Sequence, residues 1–536
     1  MNWESFADPL TRGALQLDWL AAALEPVSEY GRREFALLVP FSPGQIEPLR
    51  ANLKIVDRFA KELDPSRVDA IRDALRAAPD AIGAIARGAM GETFTDAALL
   101  EVQRFCDVVG RVRGLLEGVR AWSSEAPGEI EEVARALERG RSGKFGFYLA
   151  DGFDETLSAA RAAAGAAQAE YDVARRTLAE RVCGRLGRED IGSDEFILMR
   201  EDLRGDLPSD VHLIREAPTY YLCELKLDGR SLEALARRDA AAESVAQAEE
   251  AVRARLSDVV RRNSAGLNRE CGSLGRIDLL IAKVRFAQQH DCVMPEIVAE
   301  ASIAFEDGRF LPLADELARS GREYFTISLD LHDVAVLTGP NMGGKSAALR
   351  ACGFIAACTA FGIPVPARSA RVGLFARVGW LGIGGDEEPG GLLSSFAKEV
   401  IRLREVLARG TSQVLVLVDE FARTTTPHEG KALLVALIER LRAAKGCAFI
   451  ATHLPGVAGA AGTRHFGVRG LRKVPQSRVT ADVPAALAEL AAQMDYTIAE
   501  ISEDQEPQTD AIALAQLLGL DDELIAAARM ALTWTR

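Results

Sequence analysis

The chain has 536 residues, a formal net charge of −14 and an apolar fraction of 48%. That length predicts about three or four domains with sizeable cores. The acidic balance argues against a broadly basic nucleic-acid binder, though a local basic surface remains possible. Eight scattered cysteines form no C-x-x-C pair, so neither a zinc ribbon nor a disulfide framework is indicated. The start, MNWESFADPL, has no basic n-region or apolar h-region, and no apolar run is long enough to span a bilayer. A soluble, cytoplasmic protein with no membrane partner is expected.

In chain order, residues 1–150 read as helix after helix. Leu17, Leu20 and Leu24 keep helical spacing, as do Ile46, Leu49, Leu53 and Val56, with Pro40, Pro43, Pro65 and Pro79 as punctuation. This gives an expected helical core at 1–153, without strand alternation or a catalytic cluster. Two long helical patterns follow, Asp154–Leu186 and Ser231–Arg261. Neither has an internal Pro, so each should reach roughly 45 Å at about 1.5 Å per residue. Helices of that length act as coiled coils or levers. They define an arm segment at 154–290, with a compact insert at 188–228 whose apolar runs suggest two or three small strands. The insert holds five basic and eleven acidic residues, a net −6. A surface gripping phosphates should carry the opposite sign; a solvated tip without a partner is the plainer alternative.

Near Cys292 the pattern changes to strand-like runs: Ile297–Phe305, Tyr324–Leu329 and Val334–Leu337. They open an α/β domain expected over 291–480. The third run leads into Gly339-Pro340-Asn341-Met342-Gly343-Gly344-Lys345-Ser346, followed by a helical pattern. This is the strand–loop–helix form of G-x-x-x-x-G-K-[ST]. Glycines let backbone N–H groups turn toward phosphate oxygens, and the helix N-terminus adds its dipole. Lys345 can reach the β- and γ-phosphates of ATP, and Ser346 can ligate Mg²⁺. About 75 residues on, the apolar run Val414–Val418 delivers Asp419 and Glu420. Asp419 is the second candidate Mg²⁺ ligand, and Glu420 the candidate general base. His453, just past a third strand at Cys447–Ala451, is positioned to sense the γ-phosphate. Gly384-Gly385-Asp386 and Leu392–Glu399 stay open between loop and site. His428 reads as part of an interface or switch loop rather than a metal ligand. The tail, 481–536, reads as helical, with Gly519 ending one helix and Asp521 capping the next.

TGPNMGGKS, VDEFARTTTPHEG and ATH together resemble the ATPase domain of the MutS family of DNA mismatch-repair proteins, a branch of the ABC-type ATPases. Ala347 stands where that family's loop usually has Thr. Ala422 and Thr424 replace two glycines of its acidic motif, and Glu429 an Asp. The resemblance implies that Ser394, in SSF, reaches the nucleotide of a partner subunit, and that Tyr324 or Phe325 covers the adenine. It makes LLGLDDELIAAAR similar to the family's C-terminal helix–turn–helix, and DGFDETLSAAR to the start of its lever helices. The implied fold class is α+β and multidomain. An N-terminal all-α core and lever domain with a small tip insert precedes an ABC-type P-loop α/β ATPase domain and a C-terminal helix–turn–helix. No mismatch-binding module or Phe-x-Glu motif is found in residues 1–150, which marks a short form without the recognition and connector domains.

The implied activity is hydrolysis of ATP to ADP and phosphate by a homodimer with Mg²⁺. Two readings of its output stand. One is clamping of duplex or branched DNA in mismatch repair or recombination, with a MutL-like partner. The other is remodelling of a partner enzyme: short MutS-like proteins of this layout resemble ATPases associated with adenosylcobalamin-dependent lysine or ornithine aminomutases.

Overall fold

Val334–Thr338, Val414–Asp419 and Cys447–Ala451 are apolar at nearly every position, the pattern of strands covered on both faces. In the computed structural model they lie side by side at the centre of a six-stranded sheet. The structure describes residues 1–119, 130–139, 141–142, 146–193, 195–340, 343–382, 395–408, 413–422, 425–471, 494–501, 512, 515–516 and 520–534. The sheet order is 377–381, 414–419, 447–451, 334–338, 464–471 and 494–500. Every pairing is parallel except the last. In register, Asp419 stands beside Ala451 and Ala451 beside Leu337. The carboxyl ends of these three neighbouring strands are therefore level.

The two sheet faces are packed by different helices. Ala335, Leu337, Leu415, Leu417 and Phe449 share a core with the helix Lys345–Ala360. Val334, Val336, Val416, Val418 and Ile450 share another with residues of the helices Ser395–Ala408 and Pro427–Ala443. A four-stranded sheet, ordered 296–298, 369–373, 303–308 and 327–331, stands beside this core. The single run anticipated at Ile297–Phe305 is thus two strands. Between them the chain passes against Gly373, where a Cβ would lie 1.9 Å from the Glu300 carbonyl oxygen.

The chain divides into two compact units. The first holds Met1–Ala77, Val112–Ala126 and Gly272–Arg536; the second holds Ala78–Arg111 and Pro127–Cys271. The grouping departs from the helical block anticipated at 1–153. The reason is apolar: Trp3, Phe6, Leu15, Leu17 and Leu20 are buried in the same cluster as Phe354 and Phe361 of the helix after the phosphate loop. A charged clasp adds to it. Arg402 donates to the Trp380 carbonyl at 3.0 Å and to both Asp8 carboxylate oxygens at 2.8 and 2.9 Å.

The second unit contains the two long helices, Glu155–Leu186 and Gly229–Arg262, of 32 and 34 residues. Both start at carboxylate caps: Asp154 accepts from the Thr156 amide, and Asp228 from the Ser231 amide. They run antiparallel, as the ladder of ion pairs Arg161–Glu249, Arg237–Glu170 and Arg181–Asp228 requires. Between them lies a three-stranded antiparallel sheet, ordered Glu195–Met199, Tyr220–Leu225, Val211–Glu216. Its inner face packs Phe196, Leu198 and Cys223 against Leu178 and Val182 of the first arm. A short pair at Arg141–Ser142 and Gly146–Phe147 adds strand where only helix was anticipated.

The tail also differs from its reading as all helix. Met494–Glu500 is a strand, antiparallel to Arg464–Leu471, so the sheet extends past residue 480. Tyr496, Thr497 and Ile498 are β-forming residue types, and the neighbouring edge supplies the partner that selects strand. The closing helix, Asp522–Trp534, is capped by Asp521, which accepts from the Glu523 and Leu524 amides. Gly519 lies outside the described residues. Among the described residues no helix is long and apolar enough to cross a membrane.

Candidate nucleotide site

Three adjacent parallel strands end level, and each passes its next residues to one place, the crevice where open α/β sheets hold ligands. Val334–Thr338 leads to the glycine loop, Val414–Asp419 to Asp419 and Glu420, and Cys447–Ala451 to Thr452 and His453. The loop glycines are sterically required. A Cβ on Gly343 would lie 2.9 Å from the Pro340 carbonyl oxygen. Gly344 has φ 82°, and a Cβ there would meet the Tyr496 ring at 3.1 Å. Gly344 also precedes the helix Lys345–Ala360, whose N-terminal amides make a ready anion site.

The charged groups converge on this loop. Lys345 Nζ donates to the Gly339 and Pro340 carbonyls, both at 3.0 Å, and lies 4.0 Å from Glu420 Oε1. Burial lowers the Lys345 pKa, while Glu420 and Asp419 act to raise it. Ser346 Oγ donates to Asp419 Oδ1 at 3.0 Å. Burial raises the Asp419 pKa; the Ser346 hydroxyl opposes this and Glu420 reinforces it. A half-buried carboxylate held beside a hydroxyl is a donor set suited to a hard divalent cation such as Mg²⁺. Glu420 Oε1 and His453 Nε2 are 2.6 Å apart, and the Glu420 amide donates to the Ala451 carbonyl at 3.0 Å. Glu420 itself has φ 58°, a left-handed conformation that turns its carboxylate off the strand direction.

Beside the loop is a cavity of about 570 Å³ whose walls include Leu317, Phe325, Gly343, Gly344, Ala347 and Tyr496. The rings of Phe325 and Tyr496 stack with centroids 5.2 Å apart and planes at 28°. Tyr324 also borders the cavity, but its hydroxyl accepts from the Phe310 amide at 2.9 Å, and burial raises its pKa. A cavity walled by apolar and aromatic groups beside a phosphate-type loop suits an adenosine moiety, so the residues present fit a nucleotide with its cation.

Asn341, Met342 and Ser394 lie outside the described residues. His428 is exposed in the first turn of the helix Pro427–Ala443. Glu429 closes that helix's N-terminal cap: the Thr426 hydroxyl donates to its carboxylate at 2.7 Å. Sequence reasoning missed Tyr496, whose signal was the alternating stretch MDYTIAE, and left the stretch that ends at Glu399 open between loop and site.

Residues 335–534 match the family described as MutS domain V. Over these residues the chain is similar to that domain of the MutS family. Among curated relatives, it is 33% identical over 201 residues to the Endonuclease MutS2 of Streptococcus sanguinis, covering 37% of this chain and 25% of that protein. It is 31% identical over 172 residues to the DNA mismatch repair protein MutS of Acetivibrio thermocellus, covering 31% of this chain and 19% of that protein. The Endonuclease MutS2 of Carboxydothermus hydrogenoformans is 32% identical over 216 residues, covering 39% and 26%. The matches thus span about a quarter or less of the length of these relatives. Within the matched residues, Ala422 stands where that family's motif has glycine and adopts φ 63°, the left-handed conformation that favours glycine.

Proposed function

We propose that the chain is a dimeric ATPase that uses ATP binding and hydrolysis to drive its long helical arms. The observation that carries this reading is the meeting of Lys345, Ser346, Asp419, Glu420 and His453 at the level ends of three neighbouring strands. In this reading Lys345 and the loop amides bind the β- and γ-phosphates, and Phe325 with Tyr496 holds the base. Ser346 and Asp419 hold Mg²⁺, which when bound neutralises charge on the phosphate oxygens. Glu420 orients the attacking water and takes its proton, with His453 fixing the carboxylate and facing the γ-phosphate. Lys345 gives up its contacts to the Gly339 and Pro340 carbonyls when phosphate is bound. Ser394 acts on the nucleotide of the other subunit, closing a composite site.

For the output, DNA is the first reading: clamping of duplex or branched DNA in mismatch repair or recombination, supported by the relatives' printed names. One observation favours the second, remodelling of a partner protein: the insert between the arms carries a net −6. Two assays test the proposal. Lys345→Ala should abolish turnover, and Glu420→Ala should bind ATP but not hydrolyse it; unaltered hydrolysis by the latter removes Glu420 as base. Titration with labelled duplex and branched DNA at about 50 mM salt decides the output. Absence of binding with and without ATP refutes the DNA reading.

A further inference from the structure

The helix Ser395–Ala408 turns one face to the core: Phe396, Leu403 and Val406 all pack into the cluster beneath the sheet. Glu399 lies on that same stripe, at spacings of three and four from Phe396 and Leu403. A carboxylate on a core-facing stripe needs a hydrogen-bond donor. It finds one in the backbone of the turn after Asp419: Glu399 Oε2 accepts from the Ala422 amide at 2.6 Å.

That turn is unusual. Glu420 and Ala422 both have left-handed φ, 58° and 63°, in residues whose Cβ disfavours it by about 1–2 kcal/mol each. Such a conformation persists only where neighbours hold it. On the sheet side the Glu420 amide is held by the Ala451 carbonyl at 3.0 Å. On the other side the hold is Glu399. The helix that presents it is itself anchored, because Arg402, three residues on, is bound to the Trp380 carbonyl and the Asp8 carboxylate. The turn therefore has one fixed support at each end, and the Glu420 side chain between them reaches His453.

We infer that Glu399 is a positioning residue for ATP hydrolysis: its carboxylate holds the Ala422 amide and so fixes the turn that aims Glu420. Ser394 lies five residues upstream of Glu399, so one segment serves both the turn of its own subunit and, by the dimer reading, the nucleotide of the other. The inference rests on the ATPase proposal for its catalytic meaning, but not for the hydrogen bond itself.

The test compares Glu399→Ala and Glu399→Gln with the full-length parent, using steady-state ATP hydrolysis and amide hydrogen exchange over residues 420–422. Glu399→Ala should lower kcat by about 10- to 100-fold, the scale of a displaced catalytic group, and leave KM for ATP within about threefold. Exchange at Ala422 should accelerate. Glu399→Gln, whose amide oxygen still accepts, should recover most of kcat and of the protection. Unchanged kcat in Glu399→Ala overturns the inference, and so does an equal loss in both variants. If the parent hydrolyses no ATP, the ATPase proposal fails by itself. The exchange data then judge the support alone: unchanged protection in Glu399→Ala overturns it.

Discussion

Gly353 is where the N-terminal segment meets the helix that follows the phosphate loop, and adding one methyl there makes a sharp test. A Cβ at Gly353 would sit 2.6 and 2.9 Å from the two Leu15 methyls and 2.7 Å from a Leu417 methyl. Leu15 and Leu417 are both fully buried, so neither has open space to move into. Overpacking of this kind costs about 1–3 kcal/mol, and three contacts this short put it near the upper end. Removing a glycine from a helix interior returns about 1 kcal/mol. Gly353→Ala should therefore destabilise the protein by about 1–2 kcal/mol. Leu15→Ala alone should cost about 3–5 kcal/mol through the cavity it leaves. In the double variant the new methyl enters the vacated space and Leu417 can turn into it. Gly353→Ala should then stabilise the Leu15→Ala protein by about 1 kcal/mol, a reversal of sign. Chemical unfolding followed by tryptophan fluorescence reads all four proteins. Additivity within about 0.5 kcal/mol would refute the packing of Leu15 against Gly353.

Two further outcomes follow from other contacts. At Ala422, φ 63°, relief of about 1–2 kcal/mol of strain in Ala422→Gly is offset by about 0.8 kcal/mol of lost methyl burial and about 0.4–1 kcal/mol of chain entropy. The change should be neutral within about 0.5 kcal/mol, whereas Ala351→Gly, buried inside a helix, should cost about 2 kcal/mol; equal thermal shifts for the two would contradict the left-handed assignment. Asp8→Asn should cost about 3 kcal/mol because it strands most of the Arg402 charge in a site where both side chains are 12% exposed. Burial acts to raise the Asp8 pKa, but the Thr11 amide and Arg402 outweigh it and hold it below 3.8. The stabilisation from ionised Asp8 is thus complete above the unfolded value and lost as pH falls through the lower folded value. Acid unfolding of the parent should show this loss below about pH 4, and that of Asp8→Asn should lack it.

The arms were legible to within about two residues because their signal is local: long helical runs without proline. The phosphate loop, Asp419-Glu420 and His453 were legible for a related reason. Each follows a short apolar strand, and parallel pairing then levels the strand ends. Tyr496 was not legible, since a seven-residue alternating stretch becomes strand only where a neighbouring edge pairs with it. The burial of Trp3, Phe6 and Leu15 against the helix Lys345–Ala360 was equally hidden, because hydrophobic spacing reveals a buried face without naming what buries it. The stretch ending at Glu399 stayed open between loop and site for a third reason. The partner of Glu399 is a backbone amide made available by left-handed residues, and residue type alone does not announce such a turn at Glu420 and Ala422.

The burial of the first 24 residues also sets a timetable for making the protein. Phe354 and Leu417, buried in the same cluster as Leu15, leave the ribosome about 340 and 400 residues after it. At about 5–20 residues per second that is a wait of roughly 17–80 s. Through that interval Trp3, Phe6, Leu15, Leu17 and Leu20 form a greasy segment without its native partners, while the second unit is made in full. Expression yield should therefore answer to slowed translation and to holdase supply more than to changes in the arms. A shortened version beginning at the family match, residue 335, would be born without the segment that closes its own core.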